Sequence, residues 1–294
     1  MKVFTTLSDF TFLAQGLALL RSLRQSDNQF IVHYLCLDEQ IYEVLKDEPN
    51  VNAMLLKDLE KEDKQLQKAY ITSPSYEAAL VAKRTGGDPL WIQHCWRLAS
   101  YWTFYVLDKY SPDDIVYLDS DLFFFGPWRN IHASTGDKSI GLVKNHGDND
   151  AANGRYNVSC IYFKNDLTGN QALFSWRNWL LDPTNEYNEE YGQCGDQKYL
   201  ELFPKLFGEE NIQVLDDAGL KQYAPWTMKN IEKDLTFFHF SNFQADYKEE
   251  QFYIPAARHG IYNKLDLDKT SKLLYTVYYD VSKEELNRVS KTLK

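Results

Sequence analysis

Apolar residues in the first part of this chain gather in short β-branched and aromatic runs that alternate with stretches of helical spacing. "KVFTTLSDF" opens with a strand-like run, and in "LAQGLALLRSLRQS" the leucines at 13, 17 and 20 recur as they would on one face of a helix. "FIVHYLCLD" reads as a second buried strand and "EQIYEVLKDE" as a short helix. Strand, helix, strand, helix predicts an α/β fold with a mainly parallel sheet covered on both faces. Residues 58 to 70 are charged and predict a solvated helix or loop. Residues 89 to 110, "PLWIQHCWRLASYWTFYVLDKY", predict a long helix with a proline at its start. Further strand signals follow in "SIGLVKN" and "VSCIYFKND", and a helix in "QALFSWRNWLLD". From about Tyr247 the pattern loses its rhythm, so the expected division is a main domain over 1–246 and an appended helical segment over 247–294.

The long helix delivers the chain to "DDIVYLDSDLFFFGP", residues 113 to 127, where two aspartates end an apolar run. Ile115 to Leu118 predict a buried strand, bounded by Ser111-Pro112 and Gly126-Pro127. If the pleat continues through Ser120, Asp119 and Asp121 point to one side. They would then stand at the carboxyl edge of the sheet, where open α/β folds bind ligands. An ordinary strand ending in a polar turn has the same local signature. Two other D-x-D pairs, Asp148 with Asp150 and Asp266 with Asp268, sit in polar segments and have no such scaffold.

Composition narrows the classes. The 294 residues suffice for one large α/β domain, and a net charge of -10 with scattered lysines argues against a nucleic-acid partner. Cys36, Cys95, Cys160 and Cys194 are far apart and form no C-x-x-C pair, which fits a reduced, cytoplasmic setting. "MKVFTTLSDF" turns polar too soon for a signal peptide, and no apolar run approaches the ~18 residues of a membrane span. No G-x-G-x-x-G follows the first strand and no phosphate-binding G-x-x-x-x-G-K-[ST] occurs, so dehydrogenase and P-loop readings lose their support. Aromatics make up 15% of the chain; most build cores, though sugar faces also stack on exposed rings.

A strand-end carboxylate pair with a distant histidine suits Mn2+ or Mg2+ held beside phosphate oxygens. His239, at the end of the aromatic run in "LTFFHFSNF", is the best candidate. Taken alone, it reads first as a core histidine satisfied by a backbone carbonyl.

With these residues in view, residues 80 to 245 resemble nucleotide-diphospho-sugar transferases of the GT-A fold, related to glycosyltransferase family 8. The resemblance rests on "YLDSDLFFF" (117–125), "GRYNVSCIYFKND" (154–166), "GQCGDQKYL" (192–200), "APW" (224–226) and "FHF" (238–240), in that order. It implies a Rossmann-like GT-A sheet flanked by helices and a metal-dependent transfer of a hexose. The donor would be a nucleotide-diphospho-sugar, UDP-linked, and the acceptor a hydroxyl of a glycan, glycolipid or glycoprotein. By the same resemblance Asp119, Asp121 and His239 would hold Mn2+ (or Mg2+) with the diphosphate, Asp119 also reaching the ribose. Thr5, Thr6, Leu7 and Asp9 of the first strand, with Ser120, would line the nucleotide. Arg97 would reach the donor, although a packed surface arginine has the same signature, and Asn157 would bond sugar hydroxyls. Asp196 would bind a donor hydroxyl, a role compatible with capping a helix, and Gln197 would lie near the anomeric carbon.

The match has gaps. Ser159 stands where family 8 members usually carry glycine, and "HFSNFQADYK" replaces their glycine and Lys-Pro-Trp after the histidine. Lys248 and Arg258 are the candidates to replace the missing lysine. Retention of anomeric configuration follows from the family and from Gln197, whose amide is a poor nucleophile; an inverting enzyme would need a base such as Asp150, Asp216 or Asp217. A sugar nucleotidyltransferase is a second enzyme reading, but it would need a glycine-rich loop that "TTLSDFTF" lacks. A carbohydrate-binding or scaffold protein that kept the fold and lost turnover is the non-enzymatic reading. The tail "KEELNRVSKTLK" would be a solvated helix or a peripheral contact with the inner membrane surface.

Overall fold

The computed structural model describes residues 1–63, 66, 75–145, 153–182, 184–192, 195–227, 231, 234–253 and 269–290. The amino-terminal part alternates as the pattern predicts through β1 (Lys2–Ser8), α1 (Leu13–Ser26), β2 (Phe30–Cys36) and α2 (Glu39–Leu45), and then adds an edge strand that the pattern does not announce, β3 (Val51–Leu55), before α3 (Leu56–Glu62). Local chemistry sets the boundaries. The Asp38 carboxylate accepts the Ile41 N–H and caps α2. After α4 (Tyr76–Thr85), the long helix α5 (Pro89–Tyr110) starts at an Asp88 cap with proline in its first turn. It ends at Ser111, whose φ of 45 is left-handed, so the chain turns into Pro112 instead of continuing the helix.

The second half runs through β4 (Asp114–Leu118), β5 (Leu122–Phe124), α6 (Arg129–Thr135), β6 (Ile140–Lys144), β7 (Tyr156–Lys164), α7 (Leu167–Leu181), α8 (Asn188–Tyr191) and α9 (Leu202–Phe207). Strands β8 (Ile212–Val214), β9 (Gln222–Tyr223), β10 (Phe237–His239), β11 (Gln244–Asp246) and β12 (Gln251–Tyr253) and helix α10 (Lys269–Val289) complete it. Seven strands form the main sheet in the order β3-β2-β1-β4-β7-β6-β8. Only β7 runs against the rest, pairing antiparallel with β4 and β6, so the sheet is mixed and mainly parallel as expected. Because β1 and β4 are central and covered on both faces, they are buried almost throughout, with no in-out alternation of burial.

Two cores flank this sheet. Leu98, Trp102 and Val106 of α5 pack with Leu173 and Trp176 of α7 on one face, while Leu17, Leu20 and Leu23 of α1 pack with Phe4, Val116 and Trp128 on the other. A smaller sheet, β5-β10-β9, carries a third core of Phe123, Phe238, Phe240 and Phe243 under Tyr275 and Tyr278 of α10. Helix α10 also meets α1, where Arg21 pairs with Glu284 at 2.6 Å. Lys283 and Arg288 of the tail pair with Glu250 and Glu48; residues 291–294 of the tail lie outside the described residues. No helix of the described residues is long and apolar enough to cross a membrane.

Candidate metal and donor site

The two sheets meet at the D-x-D segment. The expected continuation of β4 through Ser120 does not occur: the strand stops at Leu118, and the Leu122 N–H bonds back to the Asp119 carbonyl at 3.3 Å. Asp119 and Asp121 are therefore brought together by a turn between two sheets and not by the pleat of one strand. Their pairing with His239 comes from register. In the antiparallel β5–β10 pair His239 lies opposite Leu122, and the Phe240 N–H donates to the Asp121 carbonyl at 2.9 Å.

In this arrangement His239 Nε2 is 3.1 Å from Asp121 Oδ1 and 3.6 Å from Asp119 Oδ2. One ligand atom from each residue lies within 4.8 Å of the other two. The two distances from His239 fall between the separations of about 3.0 and 4.2 Å that bonds of about 2.1 Å set for neighbouring and opposite ligands of one hard cation. Two carboxylate oxygens with one imidazole nitrogen suit Mn2+ or Mg2+, so the residues fit the ion that the sequence implies. His239 Nδ1 is buried with no hydrogen-bond partner in the structure, so the Nε2 edge alone addresses the site.

The charges of the three side chains oppose their burial. Burial raises the Asp119 carboxyl to about 6, with the Asp121 charge adding and His239 and the Tyr117 hydroxyl opposing. Burial works against charge on His239 too, but the two carboxylates outweigh it and its net shift is upward. A divalent cation would relieve both, since it replaces the proton that the cluster otherwise retains.

The other predicted residues divide into groups. Asn157, near the start of β7, donates to Gln197 Oε1 at 3.0 Å and to Asn145 Oδ1 at 3.2 Å, and its own Oδ1 accepts the Ser159 N–H. Gln197 donates in turn to the Asn153 carbonyl at 2.8 Å. This cluster reaches Asp119 through the backbone, because the Asp119 N–H donates to the Ser159 carbonyl at 2.9 Å. The register of β6 on β7 shifts between Leu142 and Val143, whose partners are Ile161 and Asn157. That bulge frees the end of β7 to lie along the turn at Asp119, a use of bulges common beside sites. Asp196 is buried; burial first, then the Asp119 charge, raise its carboxyl well above the usual range. It does not cap the following helical turn, whose preceding residue is Gln197. Arg97 is buried on α5 and lines a small cavity with Gln93, Asn188, Gly195 and Tyr199, beside the Asp196 loop.

The first-strand residues are less uniform. Thr5 is fully buried and shares a hydrogen bond with Thr103 of α5 at 2.8 Å, while Leu7 belongs to the core. Thr6 Oγ1 is buried with no partner in the structure, and the Asp9 carboxylate accepts the Thr11 N–H in the turn that leaves β1. Ser120 is buried at the D-x-D turn. Lys248 is exposed in the turn between β11 and β12; Arg258, Cys194, Asp148, Asp150, Asp266 and Asp268 lie outside the described residues.

Three contributors escaped sequence reasoning. The Tyr117 hydroxyl donates to Asp119 Oδ1 at 2.8 Å. The Asn145 carbonyl accepts the Trp226 indole N–H at 2.6 Å, and the Trp226 ring stands edge-on to His239 with centroids 5.9 Å apart. "APW" marked Trp226 without a role, and nothing local to Tyr117 or Asn145 announces theirs.

Comparison with solved structures places this architecture. The chain superposes on mouse xyloside xylosyltransferase 1 with a TM-score of 0.52, covering 81% of this chain and 97% of that one at 13% identity. It superposes on the galactosyltransferase LgtC, solved with donor and acceptor sugar analogues, with a TM-score of 0.51, covering 95% of each at 10% identity. The fold is that of the GT-A glycosyltransferases. In sequence the chain is 25% identical to the uncharacterized protein YfnD of Bacillus subtilis (strain 168), over 94% of this chain and 86% of that protein. No protein-family model matches.

Proposed function

We propose that this protein is a metal-dependent glycosyltransferase that moves a hexose from a UDP-linked donor to a hydroxyl of a glycan, glycolipid or glycoprotein. The observation that carries the reading is the Asp119, Asp121 and His239 cluster, whose ligand atoms converge within 4.8 Å at the seam of a GT-A fold. When bound, Mn2+ or Mg2+ would neutralise the charge that gathers on the departing diphosphate. The chain's own groups do the rest. Asp119, Asp121 and His239 hold the cation, with Ser120 and the β1 residues Thr5, Thr6, Leu7 and Asp9 toward the nucleotide. Asp196 and Asn157 engage donor hydroxyls, and Arg97 approaches the donor from α5.

Gln197 bears on the stereochemistry. Its amide already bonds Asn157 and the Asn153 carbonyl, so it is held by two partners beside the cluster. An amide oxygen is too weak a nucleophile for a covalent intermediate, which favours front-face transfer with retention. The reading places the enzyme in the cytoplasm, with the tail over 283–294 as the part that meets an inner-membrane surface when the acceptor is a lipid.

The test is a thermal-shift screen of nucleoside diphosphates with and without Mn2+, on the native protein and on Asp121→Asn. A ligand at 100 times its Kd adds about 2.7 kcal/mol, a shift of a few degrees for a chain of this size. The reading requires a Mn2+-dependent shift with UDP that Asp121→Asn lacks, followed by release of UDP from a UDP-sugar. A shift that survives in the variant, or none with any nucleotide, sinks it.

A further inference from the structure

The metal cluster is assembled from two strand ends that the main sheet does not hold. Asp121 precedes β5 and His239 ends β10, and these strands pair with each other in the small sheet. What lies behind that pair is α10, some thirty to forty residues further along the chain. Tyr278 stacks on Phe240 with centroids 3.8 Å apart and planes 8° from parallel. It also meets Phe123 edge-on at 5.8 Å and Phe243 at 5.0 Å, while Tyr275 meets Phe238 and Phe240 at 5.8 and 5.1 Å. Phe123 lies two residues after Asp121, Phe238 and Phe240 flank His239, and the Phe240 N–H bonds the Asp121 carbonyl. One fully buried ring thus touches the neighbours of two of the three ligands.

We propose that Tyr278 is a positioning residue for the metal site: its ring, stacked on Phe240, fixes the spacing between the Asp121 turn and His239. The proposal rests on the function inferred above. The pairing needs such a support, because β5 and β10 are each three residues long, and among the described rings around them Tyr278 is the one that spans both strands, meeting Phe123 and Phe240. Supporting groups behind metal ligands commonly set affinity by 10- to 100-fold. The Asp119 side has its own support in the Tyr117 hydroxyl. Burial, followed by the charge of Asp121, raises the Tyr278 hydroxyl well above its ordinary range, which agrees with a ring packed behind that carboxylate.

The experiment measures Mn2+ binding directly, by loss of the free-Mn2+ EPR signal in the presence of UDP, on the whole chain. The variants are Tyr278→Ala, Tyr278→Phe, Asp121→Asn and Val289→Ala, the last removing packing at the far end of α10. Melting of each variant is followed in parallel. Tyr278→Ala is expected to weaken Mn2+ binding about tenfold or more. Tyr278→Phe should restore it, since the stack needs the ring and not the hydroxyl. Val289→Ala should lower the melting temperature and leave Mn2+ affinity unchanged. Native affinity in folded Tyr278→Ala, a Phe variant as weak as the Ala variant, or weakening in Val289→Ala equal to that of Tyr278→Ala would each overturn the proposal. Where Tyr278→Ala does not fold, Tyr278→Leu replaces it and carries the same expectation. Absence of Asp121-dependent Mn2+ binding in the native chain would instead overturn the functional reading itself.

Discussion

At the scale of single residues, the approach to the site depends on a glycine that the helix pattern gives no reason to expect. Gly16 lies inside α1, and a Cβ there would stand 2.2 Å from the Tyr34 hydroxyl. That hydroxyl is buried and shares a hydrogen bond with Ser8 Oγ at 2.6 Å, at the end of β1 just before the Asp9 turn. Alanine in mid-helix is ordinarily better than glycine by up to ~1 kcal/mol. Here the clash should win, because a tyrosine ring has no flexible end to move aside, and Gly16→Ala is expected to destabilise by about 1–3 kcal/mol. Urea unfolding of Gly16→Ala, Tyr34→Phe and the double variant checks the cause. With the hydroxyl gone the nearest ring carbon is 3.2 Å away, so the double variant should lose less than the sum of the singles. Additive losses would mean that the contact is not the reason for the glycine.

At the scale of elements, the site is a junction: the turn between β4 and β5, the end of β10 and the bulged start of β7. Its charge state makes metal binding depend on pH with a definite sign. Asp119 sits at about 6 in the ion-free protein, raised first by burial, and His239 is also raised. Both groups bind protons more tightly folded than unfolded, so their contribution to the fold is greatest in acid; that of Asp119 is lost as pH rises through about 6, and that of His239 only above the ordinary imidazole range. The cation competes for the same sites, so the stabilisation by Mn2+ with UDP should be small at pH 5 and grow to a plateau above pH 7. Thermal melts across that range, on the native chain and Asp119→Asn, read it out, and the variant should show a small shift without the rise. A native shift that is equally large at pH 5 would show that Asp119 is not a ligand. Most of the elements at this junction were legible in the sequence, since β4, β7 and β10 are apolar runs and α5 has its opening proline. The sequence also named Asp119, Asp121 and His239 as a candidate group, and the fold brings the three together. What stayed hidden is non-local: the turn that replaces a continued strand, the β5–β10 register that brings His239 opposite Leu122, and the Tyr117 hydroxyl behind Asp119. Each depends on a partner distant in sequence or on where a strand stops, and no local periodicity encodes either.

At the scale of the whole molecule, the last helix joins the first through a buried carboxylate. The Glu48 side chain, 5% exposed, lies between Arg24 of α1 at 3.1 Å and Arg288 of α10 at 2.6 Å. Arg288 also bonds Glu285 at 2.7 Å, and Arg21 bridges Glu284 and Glu285. In a chain of net charge -10 a buried glutamate gains nothing from the general field and is tolerable only with its cations in place. The tail pattern could not reveal this, because the acidic partner lies 240 residues before Arg288. Stranding a buried charge costs about 3–5 kcal/mol, but Glu48→Ala removes the buried member and leaves Arg24 and Arg288, which reach water, so a smaller loss of about 1–3 kcal/mol is expected. Glu43→Ala provides the contrast, since its pair with Lys46 at 2.5 Å is largely solvent-exposed and should contribute little. Urea unfolding at 0.1 and 1 M NaCl separates the two further. High salt should erase the small Glu43 effect and leave most of the Glu48 effect, because buried charges are screened far less than surface ones. Equal, salt-sensitive losses in both variants would mean that Glu48 acts as one more surface charge and that apolar packing alone seats α10.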